Sequence, residues 1–452
     1  MILPGNNAET KMAGKLAAKN DCMKRSTFFK YTIPSLVLPG LLGGFKMKAF
    51  AGSSLLQSLL HGDTNGRVLV VIQLAGGNDG LNTVIPLEFY DAYKNARSNI
   101  AIAADKILHL HGNDTTGLNP AMVAMQQLFN QEQLAIVQAV SYPQSSFSHF
   151  RATDIWLTGE ESNQVLSTGW MGRYLDRQFP DFPDNYPNKM MPDPPAIQIG
   201  SVVSSGLQGP AFPMGMAISN PDSFYAMLNE KPLQVIASPA QDQLEYIRQV
   251  AEKTSAYGDV IKTAAKKINH QSAKYDDNKK NPLSDQLKIV SRLIAGGLQT
   301  KIYMVSMGGF DNHANQTDAA DTSKGTHANQ LQKLSEAIAA FMDDLALQRV
   351  ADRVVGMTFS EFGRRIKSNA SGGTDHGIAA PVFVFGEPVR SGIIGSNAII
   401  PQNATVNDNI AMQHDFRSVY ATLLTDWLGT KPSDMPGILQ KDFDTLPLIK
   451  KV

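Results

Sequence analysis

The chain has 452 residues, with 41 basic and 41 acidic side chains and therefore no formal net charge. This balance gives no electrostatic basis for binding nucleic acid or an anionic membrane surface, so neither is expected as a partner. The single cysteine, Cys22, excludes an intrachain disulfide bond and a cysteine-rich zinc site.

Residues 1–51 are typical of an export signal. The basic segment KRSTFFK (residues 24–30) resembles a twin-arginine signal with a lysine in place of the first arginine. Residues 31–45 are apolar but too short and too broken by Pro and Gly to span a bilayer, and AFA at 49–51 suits signal peptidase. The pattern predicts a periplasmic or secreted protein whose mature chain begins at Gly52 and contains no membrane span. The alternative is an uncleaved N-terminal anchor.

Six short apolar runs predict buried strands, because they are continuous rather than alternating in polarity. They lie at residues 68–74, 134–140, 196–200, 301–306, 353–359 and 381–385. Between the fourth and fifth runs, apolar residues at three- and four-residue steps from Leu331 to Leu345 predict a helix. A strand, helix and strand form a βαβ unit, so these two strands are expected to be parallel. Asp415 and Gly429 are predicted to begin and end a later helix.

The middle of the chain has a different composition. Residues 179–195 are rich in proline, and residues 245–280 are polar and rich in lysine. We therefore predict one α/β domain over residues 67–450, with an insertion or cap at about 180–295.

Polar side chains follow successive predicted strands. In open α/β sheets, ligands bind beyond the carboxyl ends of the strands, so these side chains are expected to meet at one edge. In chain order they are Asp79, Ser148 with His149, Asp311 with His313, Glu361, and Asp375 with His376, which precedes the sixth strand. Asp, Glu and His are the ligands of Zn²⁺, Mn²⁺ and Mg²⁺. Carboxylates massed without cations would repel each other and raise their pKa values.

Each of these residues also has a purely structural interpretation. Asp311 and His313 could serve only the chemistry of a turn, and AGGNDG at residues 75–80 could be only a glycine-rich turn. Glu361 could pair with an arginine of the following segment, and Ser148 could be a helix N-cap. The joint position after successive strands favours a metal site over these alternatives.

Six motifs between about residues 67 and 430 together resemble the DUF1501 family of exported bacterial proteins. In the order of the family they are LAGGNDGLNTVIPL, SHFRATDIWLTG, GGFDNHANQ, FSEFGRR, GGTDHGIAAPVFVFG and DFRSVYATLLTDWLG. That family is similar to the alkaline phosphatase superfamily, which includes sulfatases and cofactor-independent phosphoglycerate mutases. The resemblance implies an alkaline phosphatase-like fold, a doubly wound and mostly parallel sheet sandwiched by helices, with a helical or loop insertion.

The same resemblance implies a two-metal site for divalent ions such as Zn, Mn, Mg or Ca. One ion would be held by Asp79 and Glu361. The other would be held by Asp311, His313 and His376, with Asp375 beside them. Phe362 stands where the superfamily has a histidine, so one site keeps its carboxylate and lacks its imidazole. His149 is a candidate replacement.

The resemblance further implies a catalytic role for Ser148 as nucleophile, with metal-bound hydroxide as the alternative. Arg364 or Arg151 would bind the non-bridging oxygens of the ester. The formylglycine route of sulfatases is excluded, because the chain has no C/S-x-P-x-R motif.

These expectations describe an exported metal-dependent hydrolase of phosphate or sulfate esters, acting on a small-molecule or polysaccharide ester. Two alternatives share the same sequence features. One is a non-catalytic exported binding protein with a degenerate metal site, which the phenylalanine at position 362 favours. The other is a transferase that moves the phospho-group between alcohols.

Overall fold

The structure, a computed structural model, describes residues 66–229, 256–275 and 280–451. The predicted export signal and the cleavage before Gly52 lie outside the described residues. The strands are β1 (Val68–Leu74), β2 (Val84–Pro86), β3 (Leu108–Leu110), β4 (Asn113–Leu118), β5 (Leu134–Ser141), β6 (Ala196–Ile199), β7 (Gly215–Ile218), β8 (Ile302–Met307), β9 (Val354–Phe359), β10 (Gly363–Arg364), β11 (His376–Gly377), β12 (Ala380–Phe385), β13 (Gly392–Ile394) and β14 (His414–Asp415). The helices are α1 (Gly80–Thr83), α2 (Tyr90–Ala96), α3 (Val123–Asn130), α4 (His149–Thr158), α5 (Trp170–Gln178), α6 (Pro221–Asn229), α7 (Pro282–Ala295), α8 (Thr326–Leu347), α9 (Phe416–Thr422) and α10 (Met435–Leu439).

A nine-stranded sheet forms the centre of the fold, in the order β13-β5-β12-β9-β1-β8-β6-β7, with β14 also paired to β5. β1 is parallel to both β8 and β9, and β6 is parallel to β7 and β8. β12 runs antiparallel to its neighbours β5 and β9. The predicted fold class, an α/β fold with a mostly parallel sheet and flanking helices, is therefore confirmed.

Both faces of the sheet are covered. Alternate residues of β1 point to opposite sides, as the pleat of a strand requires. Val70 and Ile72 belong to a core that includes Leu331 and Phe341 of α8, whereas Val71 belongs to a second core with helices α5 and α9. Burial on both faces explains why these strands are continuously apolar in sequence.

The predicted strand–helix–strand unit is present as β8, α8 and β9. The two strands run in the same direction, and β1 lies between them and pairs with each. The later helix begins where it was predicted, because the Asp415 side chain accepts a hydrogen bond from the Arg417 N–H at 3.0 Å. It continues as a π-helix over Leu423–Trp427, and Gly429 has φ of 71° beyond its end.

The segment 180–295, predicted as an insertion, contributes to the central sheet. β6 and β7 extend the sheet beyond β8, and α7 shares a core with α8. Residues 256–267 are also helical. The cap expected in this segment stays a prediction. Within the described residues, no helix combines the length and the apolar character that crossing a membrane requires.

Candidate metal centre

The topology gathers the predicted polar residues at one edge of the sheet. The loops after β1, β5, β8 and β9 leave from carboxyl ends of parallel strands, so they meet at that edge. β12 is antiparallel, so the residues that precede it also lie at this edge. The short β10–β11 ladder then pairs Arg364 with His376 and fixes the last two loops together.

Two glycines let the loop after β1 pack against its neighbours. Gly76 has φ of 125°, and a Cβ there would lie 2.4 Å from the Asp311 nitrogen. Gly77 has φ of 79°, and a Cβ would lie 2.4 Å from the Phe362 ring. Any side chain at these positions would push the neighbouring loops apart. The two glycines of AGGN therefore allow both the turn of the chain and the close packing of the loops after β1, β8 and β9.

Three predicted residues form a compact group of metal-ligand type. His149, Asp311 and His376 each offer an atom, and these atoms lie within 4.8 Å of one another. His313 joins them, because its Nε2 lies 3.1 Å from Asp311 Oδ1 and 2.9 Å from His376 Nε2. Among the described residues, His149, Asp311 and His376 are the one group of three or more His, Cys, Asp or Glu close enough to hold a metal ion.

The other ring nitrogen of each histidine faces an oxygen acceptor. His149 Nδ1 lies 2.9 Å from Glu361 Oε1, and His376 Nδ1 lies 2.8 Å from the Phe147 carbonyl oxygen. His313 Nδ1 lies 3.3 Å from an oxygen of Asp375. Carbonyl and carboxylate oxygens only accept, so each Nδ1 donates and each neutral ring presents the lone pair of Nε2. This is the arrangement of outer partners that orients metal-binding histidines.

The ionisation states also suit a cation. Burial alone would raise the pKa of Asp311, but the hydrogen bond and the charge of Arg364 hold it below the ordinary value. Burial lowers the pKa of His376, which favours its neutral form. A deprotonated carboxylate beside neutral imidazoles is what metal binding needs. The donor set therefore fits a divalent metal ion.

Glu361 contacts the compact group through His149. The side chain is buried, and its Oε1 accepts a hydrogen bond from the Gly76 N–H at 2.8 Å as well as facing His149. These contacts suit Glu361 to orienting His149, a candidate ligand. Asp375 likewise contacts the Nδ1 of a candidate ligand, because its Oδ1 lies 3.3 Å from His313 Nδ1. Neither residue belongs to the compact group of three, and their role as direct metal ligands stays a prediction.

Asp79 is not brought to the cluster. Its carboxylate forms a buried ion pair with Arg97 at 2.6 Å and accepts a hydrogen bond from Gln316 at 2.5 Å. Burial would raise the pKa of Asp79, but the charge of Arg97 and its hydrogen bond lower it. Both carboxylate oxygens are therefore engaged within the protein, and the ligand role of Asp79 stays a prediction without support from this geometry. No motif in the sequence indicates Arg97 as the partner of Asp79, so this ion pair was not predicted.

The two predicted substrate-binding arginines are held by the protein itself. Arg364 is buried and donates to the carbonyl oxygens of Gly76, Gly77, Phe310 and Thr374 and to Asp311 Oδ1. Arg151 donates to Asp154, Glu160 and three carbonyl oxygens of the loop after α4. Both guanidinium groups are therefore engaged mainly within the protein. The structure thus gives both arginines a structural role, and their contact with a substrate stays a prediction.

Ser148 and Phe362 complete the neighbourhood. Ser148 is exposed at the N-cap position of α4, directly before His149, and its hydroxyl makes no capping bond. The Phe362 ring is buried, with its centroid 4.9 Å from that of His149 and 4.3 Å from that of His376. The phenylalanine therefore packs beneath two of the candidate ligands, which explains an apolar residue in that place.

Residues 226–426 match the model of a family described as a protein of unknown function (DUF1501), so the resemblance is confirmed over that part of the chain. No curated protein matches the chain in sequence. One similar solved structure is a protein in the alkaline phosphatase superfamily from Vibrio parahaemolyticus, at 11% identity and a TM-score of 0.34, covering 83% of this chain and 70% of that chain. The PsFucS1 sulfatase from Pseudoalteromonas sp. has 11% identity, a TM-score of 0.38, and coverage of 87% and 72%. Alkaline phosphatase from the Antarctic bacterium TAB5 has 9% identity, a TM-score of 0.29, and coverage of 71% and 92%.

Proposed function

We propose that the chain is a metal-dependent hydrolase of phosphate or sulfate esters with one tightly bound transition metal ion. One observation carries the proposal. Three histidines and Asp311 meet at the carboxyl edge of the sheet, and each histidine has its Nδ1 held by an oxygen. A structural histidine needs no such convergence of Nε2 atoms on a single carboxylate. Four ligands of this kind are what a tetrahedral zinc centre uses.

The ligand set also favours one class of ion. Three imidazole nitrogens and one carboxylate oxygen suit Zn²⁺ or a neighbouring transition metal, whereas Mg²⁺ and Ca²⁺ prefer oxygen ligands throughout. A second ion of the kind that the resemblance implies would need Asp79, which Arg97 already neutralises. The proposal therefore has one resident cation, with Zn²⁺ as the first candidate.

A bound divalent ion polarises an ester oxygen and stabilises the negative charge that develops during its displacement. The chain supplies the remaining parts. α4 begins at His149, and the first N–H groups of a helix have no partner within the helix, so they suit an anionic oxygen. Ser148 is the candidate nucleophile, because its exposed hydroxyl lies next in sequence to a candidate ligand. The second candidate, a non-catalytic exported binding protein, is favoured by Phe362, which stands where the resemblance implies an imidazole.

Metal analysis and a panel of chromogenic esters test the proposal. We expect about one zinc ion per purified chain, because His149, Asp311 and His376 offer atoms within 4.8 Å of one another and His313 lies beside them. His376→Ala should lower zinc affinity by a hundredfold or more, on the order expected when an inner ligand is lost rather than an outer partner. His111→Ala is the matched control, because His111 is an exposed histidine in another loop.

The outcomes separate the candidates. Zinc-dependent hydrolysis of phosphate or sulfate monoesters that is lost in His376→Ala supports the enzyme. Stoichiometric zinc with no turnover of any ester supports the binding protein. Equal zinc contents in wild type, His376→Ala and His111→Ala would remove the basis of both. Export is a separate proposal, and an N-terminus at Gly52 in protein from the cell envelope would support it.

A further inference from the structure

A cleft leads from the candidate metal centre along α4. One face of the helix lines it, because His149, Thr153 and Leu157 are spaced by four residues and lie above one another. Eight residues of helix rise by about 12 Å, so the cleft extends well beyond the metal-binding atoms. Ala75 and Ser205 line it from other loops. A group attached to an ester oxygen at the centre would lie along this face.

The charges around the cleft restrict what that group carries. Among the described residues that line it, none is a lysine or an arginine, whereas Asp154, Asp311 and Glu361 are acidic. Arg151, the nearest cation on the same helix, is engaged with Asp154 at 3.0 Å. A second anionic group on the substrate would find no lysine or arginine among these lining residues to pair with, which is unfavourable.

The walls of the cleft are suited to an apolar group. Phe150 is 92% exposed at the cleft, one residue after a candidate metal ligand. Ala75 and the largely buried Leu157 are further apolar residues of the lining. An exposed phenylalanine gains free energy when a ligand covers its ring, and aromatic rings stack on one another with a further gain.

From this combination we infer that the alcohol part of the ester substrate is uncharged and predominantly apolar or aromatic. The inference rests on the proposed function, because it assigns the leaving group of that reaction. It excludes nucleotides, sugar bisphosphates and polysulfated chains as preferred substrates, since each places additional anions in the acidic cleft. A neutral polysaccharide ester is the competing occupant, and it differs by presenting hydroxyl groups rather than an apolar face.

Non-hydrolysable phosphonates test the inference by binding rather than by turnover. The zinc-loaded protein is titrated by calorimetry with methylphosphonate, phenylphosphonate and 4-carboxyphenylphosphonate. Phenylphosphonate should bind roughly tenfold more tightly than methylphosphonate, because covering one aromatic ring removes apolar surface from water. The added carboxylate should reverse most of that gain.

Two variants locate the effect. Phe150→Ala should reduce the preference for phenyl over methyl to less than about threefold, and Leu347→Ala, at an exposed leucine of α8, should leave it unchanged. Thr153→Lys adds a cation to the cleft and should restore binding of 4-carboxyphenylphosphonate. Glucose 6-phosphate should compete less well than phenylphosphonate.

Failure of the inference differs from failure of the proposed function. If methylphosphonate and phenylphosphonate bind equally, or if the carboxylated compound binds best, the inference is overturned while anion binding at the centre stands. If glucose 6-phosphate competes better than phenylphosphonate, the neutral sugar is the occupant and the inference is again overturned. If no phosphonate binds to zinc-loaded protein, the proposed function and the inference fail together.

Discussion

Replacing Arg364 with methionine tests the structural role that the fold gives to this residue. The buried guanidinium joins the loops after β1, β8 and β10 through four carbonyl oxygens and Asp311. A hydrogen bond to a charged group contributes about 1.5–3 kcal/mol, and each buried carbonyl left without a donor costs about 1–3 kcal/mol. Partial relaxation of the loops offsets some of this cost. We expect the free energy of unfolding to fall by about 4 kcal/mol, which is at the upper end for single substitutions.

The assay is urea denaturation followed by circular dichroism, with a chelator present for every variant. The chelator is needed because a bound metal ion would stabilise the folded state by mass action. Arg364→Lys keeps the charge but offers three N–H groups without the planar fork, so we expect about half the loss. Arg390→Met is the matched control at an exposed arginine and should change stability by less than about 0.5 kcal/mol. If Arg364→Met has the same free energy of unfolding as wild type and loses only ester binding, then Arg364 contacts substrate and the structural role is wrong.

Two further predictions concern neighbours of the centre. Burial lowers the pKa of His327 to about 4, below the 6.5 of an unfolded histidine, so the unfolded chain binds the extra proton first as pH falls. The free energy of unfolding should therefore fall by up to about 3 kcal/mol between about pH 6.5 and about pH 4. His327→Gln should flatten this part of a pH series of urea titrations. Phe362→His should cost about 2 kcal/mol of stability, because the buried ring packs against His149 and His376. Its zinc content, measured by mass spectrometry, should stay at that of wild type, and a second zinc ion in this variant would restore the two-metal interpretation.

The strands were predictable because the sheet is covered on both faces. Val68–Leu74 was predicted with its observed bounds, since seven apolar or nearly apolar residues end at a glycine-rich turn. The antiparallel direction of β12 was not predicted, and no local pattern encodes it. A strand buried on both faces has the same composition in either direction, so only its partners β5 and β9 decide the orientation.

The candidate site was predictable as a set of residues and not as a set of roles. His149, Asp311, His313 and His376 were identified from their positions after or before strands, and the structure brings them together. Inner ligands and outer partners have the same residue types, so sequence alone could not separate Glu361 from Asp311. Whether a carboxylate reaches the cluster depends on how closely its loop approaches the neighbouring loops. That distance is set by backbone contacts such as Gly76 against Asp311.

Under the proposed function, the arginines explain why one cation would suffice at an edge crowded with carboxylates. The sequence places Asp79, Asp311 and Glu361 after neighbouring strands, where uncompensated charges would raise one another's pKa values. In the fold, Arg97 neutralises Asp79. Arg364 hydrogen-bonds to Asp311 while leaving that carboxylate about half exposed.

Glu361 is stabilised instead by the Gly76 N–H and the His149 ring. Two guanidinium groups thus occupy the electrostatic position that a second metal ion would take. Guanidinium groups stay protonated over the working pH range and cannot be removed by a chelator. The loops should therefore keep their arrangement when the metal ion leaves, and the centre should rebind zinc without refolding of the sheet edge.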